Sequence, residues 1–362
     1  MLHAAIVFIS TVVLILILLP IAPVLGFIDR PGGRKRHEGE VAVIGGIGMF
    51  GGYAVGVLLA PYQTQASLPA LLSMSMLFAV GITDDRFEVH PWLRLAVHLA
   101  AAAILIGSGG VVIERILSWE DGSFIGLDAW APAFTLLAAM AAINAYNLVD
   151  GLDGLAAGLG LLSLVFFLVL SCLAAGPQEL IIAIAIAAAP LAAFLAFNAP
   201  FSFNRRFRCF MGDAGSTMIG LWVAWFGMRI SQGPVMLAQP TTILWMTAVP
   251  IMELIVSFAR RLADGRSPLS ADADHFHHRL QRAGLSGRAT CAVLLGITVL
   301  FAGCGFLIEL FKVDDLISLA LLLTCSTATC IALRNPEACK GALLRLRGER
   351  YGDTEIHRTR FL

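Results

Sequence analysis

The chain has 362 residues, 58% of them hydrophobic and 14% charged, with a mean hydropathy of +0.82. A soluble domain is about 45 to 50% apolar and about 25% charged, so the composition excludes an ordinary soluble protein and reads as an all-α integral membrane protein. Lys+Arg and Asp+Glu balance at 25 each, which gives no electrostatic ground for a nucleic-acid partner.

Apolar runs between polar breaks predict eleven membrane spans, at 4–25, 43–61, 68–83, 93–108, 129–146, 155–175, 180–197, 216–231, 240–258, 289–310 and 315–333. The first contains Pro20 and Pro23, follows no basic segment and is long enough to cross a bilayer, so it reads as a retained helix and not as a signal peptide. With the N-terminus outside, one face holds 26–42, 84–92, 147–154, 198–215, 259–288 and the tail from 334. Of the 25 Lys and Arg, only Arg115, Arg229 and Lys312 fall on or near the other face. Short basic loops stay cytoplasmic, so the N-terminus is expected outside and the C-terminus in the cytoplasm. The segments dense in Asp, Asn, His, Gly and Arg all share the cytoplasmic face. The opposite loops are short and bland except 109–128, which reads as a small ordered loop. Residues 1–334 form one membrane domain and 335–362 a cytoplasmic tail. The seven cysteines show no metal spacing and read as small core residues.

The motifs follow in chain order. FIDRPGGRKRHEG (27–39) turns at Pro31-Gly32-Gly33 and then clusters Arg34, Lys35, Arg36 and His37; it fits a headgroup anchor or a landing site for phosphate equally. GGIGMFGG (45–52) contains a literal GxGxxG, but its glycines open an apolar span, so close helix packing replaces the dinucleotide reading. GITDDRFEVHPWLR (81–94) places Asp84 beside Asp85, which is either a solvated helix end or a site for a divalent cation or proton transfer.

NAYNLVDGLDG (144–154) spaces Asn144, Asn147, Asp150 and Asp153 three apart, aiming polar groups along one helical face until the helix breaks. Its glycines are explained by a turn. FNRRFRCFMGDAGSTMIG (203–220) sets Asp213 at a helix start, where backbone N–H groups can face phosphate while the carboxylate holds a cation; a simple N-cap would look similar. RRLADGRSPLSADADHFHHRL (260–280) packs His275, His277 and His278 into four positions without a zinc spacing. Histidines among arginines read as polyanion ligands or proton donors. Carboxylates, a divalent cation, Arg and His together make a set for phosphoryl transfer, with Mg²⁺ or Mn²⁺ suited to the oxygen donors.

DRPGGRKRHxG, DDRF, NAYNLVDGLDG, FMGDAGS and HFHH, in this order, resemble the polyprenyl-phosphate N-acetylhexosamine-1-phosphate transferases, over about residues 27–280. The wording of NAYNLVDGLDGL and HFHHRL is most similar to the bacterial branch that uses undecaprenyl phosphate and UDP-GlcNAc and starts O-antigen and related glycans. The resemblance implies the reaction UDP-GlcNAc plus undecaprenyl phosphate to undecaprenyl-diphosphate-GlcNAc plus UMP, with Mg²⁺ or Mn²⁺. GalNAc, FucNAc, QuiNAc or MurNAc-pentapeptide donors would use the same chemistry, and a homodimer is left open.

It further implies that Asp213 is the chief metal ligand with Asp84 beside it. Asp84 and Asp85 serve the lipid phosphate, as base or metal neighbour. Asn147, Asp150 and Asp153 lie in the nucleotide-sugar site, Phe210 stacks on uracil, and Asn198 helps to hold the nucleotide. His275, His277 and His278 neutralise the pyrophosphate or the leaving UMP, with His277 counted among the catalytic groups. Lys35, Arg36 and His37 bind the lipid phosphate. Two departures are visible. Ala263 and Asp264 stand where a basic residue is usual, which passes its phosphate role to Arg266; Glu253 stands where Asp is usual and is expected in a polar network. The reading from another class is a transporter, which would need binding groups at the bilayer midplane. The one mid-span ionisable residue pointing that way is His98, otherwise a helix-to-helix hydrogen bond.

Overall fold

The computed structural model describes residues 2–30, 39–60, 67–119, 123–200, 207–233, 235–267 and 274–334. Lys35, Arg36, His37 and the tail from 335 lie outside these residues, as do Glu120 and Asp121. The described chain is a bundle of helices: α1 (Leu2–Leu18), α2 (Ala22–Leu25), α3 (Gly45–Leu59), α4 (Ser67–Phe87), α5 (Pro91–Gly109), α6 (Ala131–Val149), α7 (Leu155–Leu173), α8 (Gln178–Asn198), α9 (Gly212–Ser231), α10 (Pro240–Met246), α11 (Ala248–Ala263), α12 (Phe276–Arg282), α13 (Gly287–Leu310) and α14 (Asp315–Arg334). Each predicted span coincides with one helix or a broken pair.

Seven helices are long and apolar enough to cross a membrane: α4, α5, α6, α7, α8, α13 and α14. The broken pair α10 and α11 makes an eighth if it counts as one span. The chain is therefore a multi-pass helical membrane protein. Of the remaining predicted spans, α1 and α3 are shorter, with 17 and 15 residues. The span at 216–231 falls in α9, which is rich in Gly, Ser, Thr and Trp and buried almost throughout. Leu316, Ile317, Leu321, Leu323 and Ile331 of α14 are exposed, as a lipid-facing surface should be.

The helices are not the whole fold. A small sheet runs β1 (Ile28–Asp29), β2 (Val41–Val43), β5 (Cys209–Phe210), with β1 antiparallel and β5 parallel to β2. The segment at 109–128 holds an antiparallel hairpin, β3 (Arg115–Ser118) and β4 (Phe124–Gly126). These five short strands add to the all-α reading without displacing it. Of the cysteines, Cys209 and Cys291 are buried, but Cys172, Cys304 and Cys325 face outward, so the expectation of a uniformly core role holds only in part.

Helix α9 is the hub, packed against α3, α4, α6 and α7. Lipid gives apolar helices no net drive to associate, so contact depends on close backbone approach at small residues. A Cβ at Gly81 of α4 would lie 2.4 Å from the Ala214 backbone, and one at Gly220 would lie 2.5 Å from the Ala142 carbonyl oxygen of α6. Gly48 and Gly52 of the GGIGMFGG stretch meet Ile15 and Thr11 of α1 in the same way, consistent with a packing role for those glycines.

The break between α10 and α11 turns the chain by 81°. Pro250 has no N–H to give the carbonyl four residues back, that of Met246. Ser163 of α7 donates to that carbonyl instead, at 2.8 Å, and Tyr146 of α6 lies 3.1 Å behind the hydroxyl. An orphaned buried carbonyl costs about 1 to 3 kcal/mol. Ser163→Ala is therefore expected to destabilise the protein by about that much, read as a fall of several degrees in its thermal midpoint in detergent. At the other end, Glu309 accepts from Gln239 N and Thr242, and Asp315 accepts from Ser118 N and Thr241. These buried carboxylates are hydrogen-bonded within the scaffold, as burial demands.

Candidate active site

The C-terminal ends of α4 and α6 meet the N-terminal end of α9, and that of α8 meets β5 just ahead of it. The β2–β5 pairing, Val43 opposite Phe210, fixes the chain just ahead of α9. Gly212 then takes a φ of +70°, which suits glycine, and Asp213 follows in the first turn.

Asp85 accepts from the Asp213 amide at 2.8 Å and lies 3.5 Å from the Ala214 amide. It caps α9 from another helix, where the helix dipole favours an anion. This corrects the expectation that those amides face a phosphate: Asp85 holds them. The neighbouring Asp84 accepts from the Val89 amide at 2.6 Å and pairs with Arg94 of α5. The same Arg94 nitrogen lies 3.1 Å from Asp213, so one guanidinium bridges two carboxylates of different helices. Asn147 closes the other side, donating to Asp213 at 2.9 Å and lying 3.0 Å from the Ser216 hydroxyl.

The polar face of α6 lasts until the helix breaks. Asn144 bonds its own helix at the Met140 carbonyl, α6 ends at Val149, and Asp150 belongs to the turn. Asp150 is half-buried near Asp213, Asp85 and Asp153, and desolvation followed by these like charges pushes its carboxyl well above the ordinary 3.8. Asp153 pairs with Arg208 at 2.6 Å. Arg208 also lies over the Phe210 ring, 5.0 Å from its centroid, so the ring expected to stack on a base has a planar cation beside it.

Asn198 lies in the scaffold beneath this site. Its carbonyl accepts from Gly154 N at 2.6 Å and its amide donates to Cys209 O at 2.8 Å, strapping the turn at 150–154 to β5. Both ends of its side-chain amide are thereby engaged within the protein.

The three histidines gather against the same turn. A Cβ at Gly151 would sit 2.4 Å from His277 Nε2, so only glycine admits this contact. His277 and His278 have ring centroids 4.1 Å apart, and His275 and His277 5.7 Å. Burial and then the neighbouring His278 and His275 push His277 down to about 3. Without a bound anion it is a neutral imidazole that can give or take one hydrogen bond, and not a cation. Arg266 pairs with Asp264 at 2.6 Å on the bend after α11, and no described contact joins it to the carboxylates. His98 is buried on α5 with no partner at Nδ1, so the expected helix-to-helix bond is not made at that atom.

Partial desolvation, the bond to Asp84 and the charge of Asp85 raise Asp213 from 3.8 to about 7, with its side chain still 34% exposed. Negative charge is thus concentrated beyond what Arg94 offsets, at a point solvent can reach. Among the described residues no three His, Cys, Asp or Glu side chains close on one ligating point. That donor set fits an ion held by one or two carboxylates and completed by water and substrate phosphate, the usual habit of Mg²⁺. Asp213, with Asp84 next to it, is the pair that would hold it.

The sequence alone did not assign Arg94 or Arg208 to the site. Arg94 stands ten residues after Asp84, in the first turn of the next helix, and this offset was its only signal.

The pattern of glycosyl transferase family 4 matches residues 67–231, the stretch that carries Asp84 through Asp213. Among proteins of known activity, the chain is 32% identical over 309 residues to the undecaprenyl-phosphate alpha-N-acetylglucosaminyl 1-phosphate transferase of Escherichia coli K12, covering 84% of this chain and 82% of that one. The Yersinia pestis enzyme of the same name is 34% identical over 303 residues, 83% and 82% of the two chains. That of Haemophilus influenzae is 31% identical over 326 residues, 87% and 88%. A shared sequence over more than four-fifths of both chains, together with the convergent carboxylates, shows that this chain belongs to the polyprenyl-phosphate N-acetylhexosamine-1-phosphate transferases of glycosyl transferase family 4.

Proposed function

We propose that the protein transfers GlcNAc-1-phosphate from UDP-GlcNAc to undecaprenyl phosphate, releasing UMP and opening the synthesis of O-antigen or a related envelope glycan. The observation that carries the reading is the meeting of Asp84, Asp85, Asp150 and Asp213 at the ends of different helices, in a chain similar to enzymes that bear this activity in their names. The bilayer is the bacterial inner membrane, crossed eleven times, with the N-terminus periplasmic and the site and C-terminus cytoplasmic.

The acceptor phosphate oxygen attacks the phosphorus attached to the sugar, and the bond from that phosphorus to the bridging oxygen of UMP breaks. A phosphate monoester has its second pKa at about 6, so the acceptor arrives largely ionised and no proton need be removed. The task of the protein is positioning and charge neutralisation. Mg²⁺ or Mn²⁺, when bound, offsets the pyrophosphate charge. Arg94 holds Asp84 and Asp213 in register, and Asn147 fixes the remaining oxygen of Asp213. Phe210 offers its face to uracil beside Arg208, and the His275, His277 and His278 cluster meets the phosphates of the nucleotide. Arg266 and the Lys35, Arg36 and His37 cluster would add cations at the phosphates of donor and acceptor.

Purified protein given UDP-[³H]GlcNAc, undecaprenyl phosphate and Mg²⁺ should yield lipid-extractable label and an equal amount of UMP. Absence of label from every UDP-N-acetylhexosamine tried would overturn the reading.

The metal requirement should depend on pH with a definite sign. Asp213 holds a proton below about 7, and a metal needs the anion. Half-saturating Mg²⁺ is expected to rise about fivefold from pH 7 to pH 6, about tenfold from pH 8 to pH 6, and to level off above about pH 8. Because the folded carboxyl lies above its ordinary 3.8, metal-free protein should lose stability as pH rises from 3.8 to about 7, and Mg²⁺ should restore it. A Mg²⁺ requirement that is flat between pH 6 and 8 would contradict this.

A further inference from the structure

Glu253 on α11 is 2% exposed, and its two oxygens are spent on one target. One accepts from the Phe276 amide at 2.8 Å, and the other lies 3.0 Å from His275 Nδ1. Ser257, one turn along α11, lies 3.2 Å from the same Glu253 oxygen and 3.3 Å from His275 Nδ1. The start of α12, which carries His275, Phe276, His277 and His278, is therefore gripped from α11 at both backbone and side chain. Asp274, just before it, is held by Arg260 at 2.6 Å and by Arg279 at 2.7 Å.

We propose that Glu253 is a positioning residue of the transferase, setting the tautomer and aim of His275 so that Nε2, the nitrogen turned away from Glu253, is the one offered to the phosphates of the nucleotide. An ionised carboxylate only accepts hydrogen bonds, so His275 Nδ1 must carry a proton toward it. Any second proton on the ring then sits at Nε2, and the carboxylate behind the ring stabilises the imidazolium once an anion is bound. The grip reaches further than one ring. His275 packs at 5.7 Å from His277 and 6.0 Å from His278, and His277 rests on Gly151 of the turn that carries Asp150 and Asp153.

The inference rests on the transferase reading, and the test separates the two. Glu253→Gln keeps the shape and one acceptor for the Phe276 amide, but turns an amide donor toward Nδ1 and so drives the His275 proton to Nε2. The full-length protein is labelled with ¹⁵N-histidine in nanodiscs, and the His275 signal is assigned by its loss in His275→Asn. Wild type should show Nδ1–H at His275, and Glu253→Gln should show Nε2–H. Turnover per folded molecule in Glu253→Gln should fall about 10- to 100-fold, with KM for undecaprenyl phosphate unchanged and Glu253→Asp recovering much of the loss.

A wild-type His275 protonated only at Nε2 would overturn the proposal. So would Glu253→Gln with unchanged turnover per folded molecule, whether or not its heat stability falls. The ¹⁵N signal needs no substrate, so a wild-type protein that transfers no sugar would refute the function and leave the tautomer result standing.

Discussion

Asp213→Asn is expected to lower turnover about 10³-fold or more, because losing a principal metal ligand removes several kcal/mol of transition-state stabilisation. The fold should survive the change. The Asp213 amide, not its side chain, is what Asp85 caps, and Asn keeps an oxygen for Asn147. The carboxylate it replaces is held at about 7 by partial desolvation and like charge, so removing the charge relieves repulsion. Thermal midpoints within a few degrees of wild type, beside a collapse of lipid labelling at saturating Mg²⁺, are the expected pair of results. Turnover within tenfold of wild type would sink the metal assignment. Asp85→Asn should behave differently: it weakens the cap on α9 as well as the site, so activity and stability fall together, the latter by about 1 kcal/mol.

The contrast between Asp84 and Asp85 marks what the sequence could not disclose. DDRF predicts a pair with one purpose, whereas the fold sends Asp84 to Arg94 and Asp85 to the amides of α9. Which adjacent carboxylate meets which partner depends on the crossing of α4 and α9, set by Gly81 against Ala214, and no local pattern encodes that. Spans and their polar ends were legible because apolar length and turn residues are local properties. The three-residue spacing of Asn144, Asn147, Asp150 and Asp153 aims side chains only as far as α6 runs, to Val149, and the turn chemistry of DGLDG takes over from there. The family resemblance alone marked Asn198, for the nucleotide; its amide joins Gly154 and Cys209, partners that become neighbours only when β5 pairs with β2. Arg94 escaped notice because a basic residue at the start of a span is what membrane orientation alone requires.

Gly212 couples backbone geometry to catalysis, and Gly212→Ala should show it. The residue sits at φ +70°, where an L side chain costs about 1 to 2 kcal/mol. An added Cβ would lie 2.2 Å from Asp85 Oδ2, within the atoms of the carboxylate that caps α9. Either Asp85 leaves the amides or the first turn of α9 shifts, and both moves displace Asp213 from Arg94 and Asn147. A misplacement of about 1 Å at a reacting centre costs about 10²-fold, so activity should fall by at least that factor while the bundle stays folded. Gly296→Ala supplies the matched control, since that glycine lies within α13 and a Cβ there meets nothing within 4 Å. It should retain full transfer and match or exceed wild-type heat stability, by up to about 1 kcal/mol. If Gly212→Ala behaved like Gly296→Ala in both assays, the link from the αL turn through Asp85 to the metal ligand would be wrong.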